Sequence, residues 1–146
     1  MNIVPPAREP CMMTEAKSRQ RMEKAAAICL SLPNVTRADM GDHASFRIGG
    51  KIFAYLLNNH HGDGIVGLWC RALPGDNQRL IESNPRKFYL PAYVGPRGWV
   101  GLRLDSRTVD WAEVRELVRG SYLLAAPRKL ALRMNPQMSG PSDLLP

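Results

Sequence analysis

Three cysteines, Cys11, Cys29 and Cys70, are the only thiols in this 146-residue chain. Their odd number, wide spacing and lack of a CxxC pair argue against a disulfide framework and against a thiolate zinc site. Free thiols fit a reducing compartment, so a cytoplasmic protein is expected. No apolar run approaches the roughly 18 residues that a membrane-spanning helix requires. Pro5, Pro6, Arg8, Glu9 and Pro10 interrupt any hydrophobic signal core. Residues 1–13 therefore read as a disordered leader, with Met12 or Met13 as an alternative translation start.

Acidic residues are also scarce, 13 against 20 basic ones, and they are scattered along the chain. That scatter argues against a ridge of carboxylates for metal binding. Neither Gly62-Asp63-Gly64 nor Gly95-Pro96-Arg97-Gly98 carries the Gly-Lys-Ser/Thr ending of a nucleotide loop. His60-His61 with Asp63 offers three ligand types in one loop, but no fourth partner stands at a spacing that would close a metal shell. Asp42-His43 would orient a base, yet nothing marks Ser45 as an activated nucleophile. No catalytic residue, cofactor or metal is expected, and the chain reads as a non-enzyme.

What the chain has in excess is arginine, and it lies late. The net charge is +7, and fifteen of the twenty basic residues are Arg. Between Arg86 and Arg133 ten basic residues stand against four acidic ones, which places +6 in that segment. A concentrated positive field draws polyanions.

Periodicity places the elements. A helix is predicted over Thr14–Ser31, with an apolar stripe of Met22, Ala25, Ala26, Cys29 and Leu32, and Pro33 ends it. Ala44–Ile48, Gly49-Gly50 and Lys51–Leu57 form a hairpin, since a Gly-Gly loop permits the positive φ of tight turns. Its simple register sets Phe46 opposite Phe53 and Ala44 opposite Tyr55. Ile65–Cys70 adds a third strand, Asp76–Ser83 a short helix and Trp99–Leu104 a late strand. A last helix begins at the Asp110 cap, buries Trp111, Val114, Leu117, Val118 and Tyr122, and ends at Pro127. Residues 134–146 read as a disordered tail. The order of elements predicts one domain over residues 14–133. It is a two-layer α+β sandwich, an antiparallel sheet with helices on one face and the other face open.

In the late strand Val100, Leu102 and Leu104 share the buried face, so Trp99, Gly101 and Arg103 are expected to face solvent. An exposed indole among guanidinium groups suits stacking and phosphate contact.

Several stretches together carry a family resemblance. They are Leu32-Pro33-Asn34-Val35, residues 46–54 (FRIGGKIFA), residues 93–100 (YVGPRGWV), Asp110-Trp111, Ser121-Tyr122 and Ala125 to Pro127. Over roughly Glu23 to Leu130 the chain resembles the MmcQ/YjbR family of small bacterial proteins. The resemblance implies a CyaY-like fold and a DNA-binding label, with no agreed catalytic residues. CyaY-like iron binders carry an acidic first helix. Here Lys17, Arg19, Arg21 and Lys24 face Glu15 and Glu23, so iron binding does not carry over.

The resulting expectation is a monomeric DNA-binding protein of low sequence specificity. Arg97 and Arg103 would contact phosphates and Trp99 would stack. Arg47, Lys51, Lys87, Arg128 and Lys129 would add electrostatic affinity. The alternative is a protein-interaction or small anionic-ligand module on the same face.

Overall fold

Helix ends in this chain follow the residues that cap them. In the computed structural model, which describes residues 14–134, α1 spans Glu15–Leu30. The Thr14 hydroxyl accepts the Lys17 N–H at 3.1 Å and satisfies one orphan donor of the first turn. α2 spans Asp76–Ser83 and α3 spans Trp111–Ala125. The Asp110 carboxylate accepts the Ala112 and Glu113 N–H groups at 3.1 and 3.3 Å, so the predicted cap is the observed one. A fourth helix, α4 at Arg128–Met134, was not expected. It restarts after Pro127, which fits the start of a helix better than its middle. Met134, the first residue of the expected tail, closes it. The rest of that tail, the leader and Cys11 lie outside the described residues.

Six strands form one antiparallel sheet: β1 Thr36–Met40, β2 His43–Ile48, β3 Lys51–Asn58, β4 Val66–Arg71, β5 Phe88–Tyr89 and β6 Trp99–Arg103. Their order is β1-β2-β3-β4-β6-β5. The expected meander is β2-β3-β4 with the expected late strand, β6, beside β4, and the two edge strands, β1 and β5, were not expected. α1 and α3 cover one face, so the two-layer α+β architecture holds. The core there joins Ala25, Ala26 and Cys29 of α1 and Val114, Val118 and Tyr122 of α3 to strand residues of that face. Those include Phe46, Leu56, Leu68, Val100 and Leu102.

The β2–β3 turn has positive φ at Gly49 and Gly50, as expected (58° and 82°). The register beyond it is not the expected one. Ile48 pairs with Lys51 and Arg47 with Ile52, but Phe46 pairs with Ala54 and Ala44 with Leu56. One extra residue, Phe53, bulges out of the ladder there. Phe53 and Ala54 thus both enter the helix-side core, while Ile52, Tyr55 and Leu57 face the other way. A bulge leaves a carbonyl without its ladder partner. The Ser121 hydroxyl donates to the Phe53 carbonyl and accepts the Arg71 N–H at 2.8 Å, so both backbone groups are satisfied by α3. The Tyr122 hydroxyl donates to the Pro33 carbonyl at 2.7 Å, which ties α3 to the turn after α1.

Candidate nucleic-acid interface

The alternation of β6 is as read: Val100, Leu102 and Leu104 lie in the helix-side core, with Trp99, Gly101 and Arg103 on the other face. The inference drawn from that alternation, that Trp99 meets solvent, is overturned. Trp99 is 5% exposed and belongs to a second apolar cluster with Leu57 and Trp69, walled by Ile52, Tyr55, Tyr89 and Val94. The bare backbone at Gly101 is a socket. A Cβ at Gly101 would sit 2.5 Å from Tyr89 Cζ, and one at Gly67 would sit 2.1 Å from the Tyr89 hydroxyl. The Tyr89 ring therefore lies flat against two side-chain-free positions on neighbouring strands. Its hydroxyl accepts the Trp69 indole N–H at 2.8 Å. Both indoles are thus roofed by the segment that leads from β5 back into β6. The sheet face away from the helices is partly clothed, and Trp99 cannot stack on a base as the structure stands.

Two of the expected basic residues are engaged in the fold. The Arg103 guanidinium holds both oxygens of Asp105, through Nε at 3.0 Å and Nη2 at 3.2 Å. Asp105 is 1% exposed and also accepts the Val66 N–H at 3.3 Å. A carboxylate that deep requires a cation beside it, so Arg103 neutralises a buried charge. Lys87 reaches Glu113 of α3, with Nζ 2.7 Å from Oε1.

The remaining candidates gather at one end of the sheet. Arg47 of β2 faces away from the helices beside Ile52, and Lys51 begins β3 beyond the glycine turn. Pro127 rests on that turn: its ring carbons lie 3.1 Å from where a Gly49 Cβ would be. This contact sets Arg128 and Lys129, which follow Pro127, beside the hairpin tip. Arg97 sits in the Gly95–Arg97 turn that feeds β6. Arg47, Lys51, Arg97, Arg128 and Lys129 are all exposed.

Arg71, absent from the sequence-level candidates, joins them. It ends β4 opposite Trp99, with its guanidinium 5.1 Å from the Trp99 ring centroid. Its Nε donates to the Ile52 carbonyl at 2.9 Å, and among the described residues its two Nη groups have no partner. Arg71 closes an apolar run and precedes the arginine-rich segment, so charge counting passed over it. Only the strand register shows that it belongs with the late arginines.

No acidic residue occurs in residues 43–62 or 117–134, the segments that build most of this end. Among the described residues Arg47, Lys51, Arg71, Arg97 and Lys129 form no ion pair. At the opposite end four acids, Glu15, Glu23, Asp39 and Asp42, line a cleft with Arg19, Arg37 and His43. The molecule is polarised along its strands.

All three histidines of the chain meet near the acidic end. The His43 and His60 rings lie 5.5 Å apart, and His60 and His61 lie 4.1 Å apart. Burial, helped by His61 and His43, holds His60 below the usual imidazole range. His43 Nδ1 accepts the Asn58 N–H at 3.2 Å, so the backbone and not Asp42 orients that ring. No group of three His, Cys, Asp or Glu side chains among the described residues is placed to hold a metal ion. Both described thiols are buried, and desolvation pushes Cys29 up to about 12. No helix among the described residues is long and apolar enough to cross a membrane.

The model of the YjbR family matches residues 30–124. Among solved structures, a Deinococcus radiodurans protein, DR2400, with the DUF419 domain, superposes with a TM-score of 0.58 at 23% sequence identity. That match covers 70% of this chain and 75% of the other. It is a likeness of fold. No curated protein matches the chain.

Proposed function

This chain belongs to the YjbR family, and we propose that it is a cytoplasmic, non-enzymatic protein that binds DNA through the basic end of its sheet. One observation carries the reading. Arg47, Lys51, Arg71, Arg97, Arg128 and Lys129 come from five separate elements or turns to one end of the sheet, where the nearby Asp76 is paired with Arg79, and among the described residues five of the six form no ion pair. Guanidinium groups match phosphate oxygens bidentately, and cations without internal partners are available for that contact. Arg71 is held by the Trp99 face and the Ile52 carbonyl, with its outer nitrogens unpartnered among the described residues, which lowers the entropy cost of binding an anion. The buried indoles support backbone contact without base stacking, so low sequence specificity follows.

A fluorescence-anisotropy titration of duplex DNA at several salt concentrations tests this. Binding should weaken steeply with salt, and the double variant Arg47→Ala, Arg97→Ala should flatten the log–log slope by about 2, since each lost phosphate contact removes about 0.9. Affinity indifferent to salt, or a slope unchanged in the double variant, would refute the reading. A second reading, a small anion bound in the recess of Pro74, Gly75, Gly95, Pro96 and Arg97, predicts a rise in Tm with phosphorylated metabolites and no retention of DNA.

A further inference from the structure

β1 is the long unpaired edge of the sheet. It pairs with β2 on one side, and on the other side the described residues contribute no strand. The opposite edge, β5, is only two residues long. α1 and α3 pack mainly on β3 and β4, and α1 reaches β1 from the helix side through Glu23, which leaves the outer edge of β1 open among the described residues. Thr36, Ala38, Asp39 and Met40 are exposed, Met40 to 79%.

We infer that β1 is a self-association edge, on which a second copy of this chain docks antiparallel about a two-fold axis at Ala38, joining two six-stranded sheets into one. Two features select this partner. The first is hydrogen-bond parity. The β1–β2 loop is the two-residue Gly41-Asp42 turn, so Met40 and His43 exchange main-chain hydrogen bonds. By alternation Ala38 and Thr36 also bond inward to β2. Arg37 and Asp39 are left with N–H and C=O groups pointing outward from the edge. Antiparallel pairing about Ala38 sets Arg37 opposite the partner's Asp39, and Asp39 opposite the partner's Arg37. Every outward-pointing group in those pairs then finds its complement.

The second feature is charge. Arg37 and Asp39 share the helix-side face and already pair within the chain, Nε to Oδ1 at 3.0 Å. Arg37 also holds both oxygens of Glu23, at 3.0 and 3.1 Å. Charged side chains on an edge strand normally discourage pairing. Here they discourage every register but one. Sliding the copy by two residues in one direction sets Arg37 against the partner's Arg37, and in the other direction Asp39 against the partner's Asp39. Sliding it by one breaks the parity and turns the side chains to the wrong face. Only the pairing about Ala38 alternates the signs, and opposite charges in directly facing positions stabilise a strand pair. The monomer expected from sequence thus becomes a concentration-dependent dimer. With five residues per strand the interface lies at the small end of the range, so the dimer is weak.

Sedimentation velocity on the full chain over a concentration series tests this, with circular dichroism as the check on folding. Wild-type protein should shift from monomer to dimer. Arg37→Asp and Asp39→Arg, each alone, place like charges across the axis and should weaken association by about tenfold or more. An equimolar mixture of the two variants should restore it, because one copy then presents only acids and the other only arginines at these two positions. Asp39→Pro deletes an outward N–H without touching the ladder to β2, and should abolish the dimer while leaving the monomer folded. A wild-type chain that stays monomeric at millimolar concentration overturns the inference. So does a folded pair of charge variants that fails to associate when mixed, or an Asp39→Pro variant that still dimerises.

Discussion

Arg71 lies across Trp99: its guanidinium carbon is 5.1 Å from the ring centroid, while its Nε donates to the Ile52 carbonyl at 2.9 Å. The contact joins a cation at the sheet surface to an indole beneath it. It also bridges β4 to β3 on one side and to β6 on the other.

Arg71→Ala removes that bridge together with one hydrogen bond to a main-chain carbonyl. The loss in stability should be about 1–2 kcal/mol, read from urea denaturation. Arg47→Ala and Arg97→Ala, whose side chains are exposed, should stay within about 0.5 kcal/mol of the wild type. Those two sites are therefore the clean reporters of ligand binding.

Gly101→Ala should evict the Tyr89 ring, because the new methyl group would sit 2.5 Å from Tyr89 Cζ. The expected cost is about 1–3 kcal/mol. Tryptophan emission should shift to the red, as Trp69 loses its hydroxyl partner and Trp69 and Trp99 meet water. A variant with native emission and native stability would show that Tyr89 is not the roof of the second cluster.

Arg103→Met keeps the length of the side chain and deletes its charge. Asp105 would remain a buried carboxylate without its guanidinium, at a cost of about 3 kcal/mol. The double variant Arg103→Met, Asp105→Asn should recover part of that loss. Thermal or urea unfolding of the three proteins gives the comparison.

Alkaline pH should loosen the fold. Burial raises the Cys29 thiol from an ordinary value of 9.0 to about 12, and raises Cys70 in the same sense. Below pH 9 folded and unfolded chains both carry the neutral thiol, so these groups leave stability unchanged. Between pH 9 and about 12 the unfolded chain ionises and the folded one does not, so stability falls with rising pH. The slope from Cys29 is about 1.4 kcal/mol per pH unit. Tyr89, raised from 10.0 to about 12, steepens the fall above pH 10. Urea midpoints measured from pH 8 to 11 should decline, and Cys29→Ala should make the decline shallower.

Elements with local signals were legible in the sequence. α2 matches its predicted bounds, and the Asp110 cap sets the start of α3 where the motif placed it. β1 was not legible, because four of its five residues are exposed and it shows no apolar alternation. The bulge at Phe53 was hidden for another reason. Phe53 and Ala54 are both apolar, and the glycine turn suits an unbroken hairpin, so nothing nearby reveals the inserted residue. The misreading of Trp99 was one of long-range contact. Alternation correctly assigned its face, but the cover comes from Tyr89, whose strand is two residues long and pairs with Gly101 through the fold alone. Arg97 and Arg103 looked equivalent in sequence. They differ because a buried carboxylate lies two residues beyond one of them.

The separation of charge along the strands gives the molecule a permanent electric dipole. A body of that kind feels torque as well as attraction, so it rotates before it arrives. On a sulfonate cation-exchange matrix it should settle tip first, with the glycine turn and Pro127 leading, and elute later than a +7 sphere with evenly spread charge.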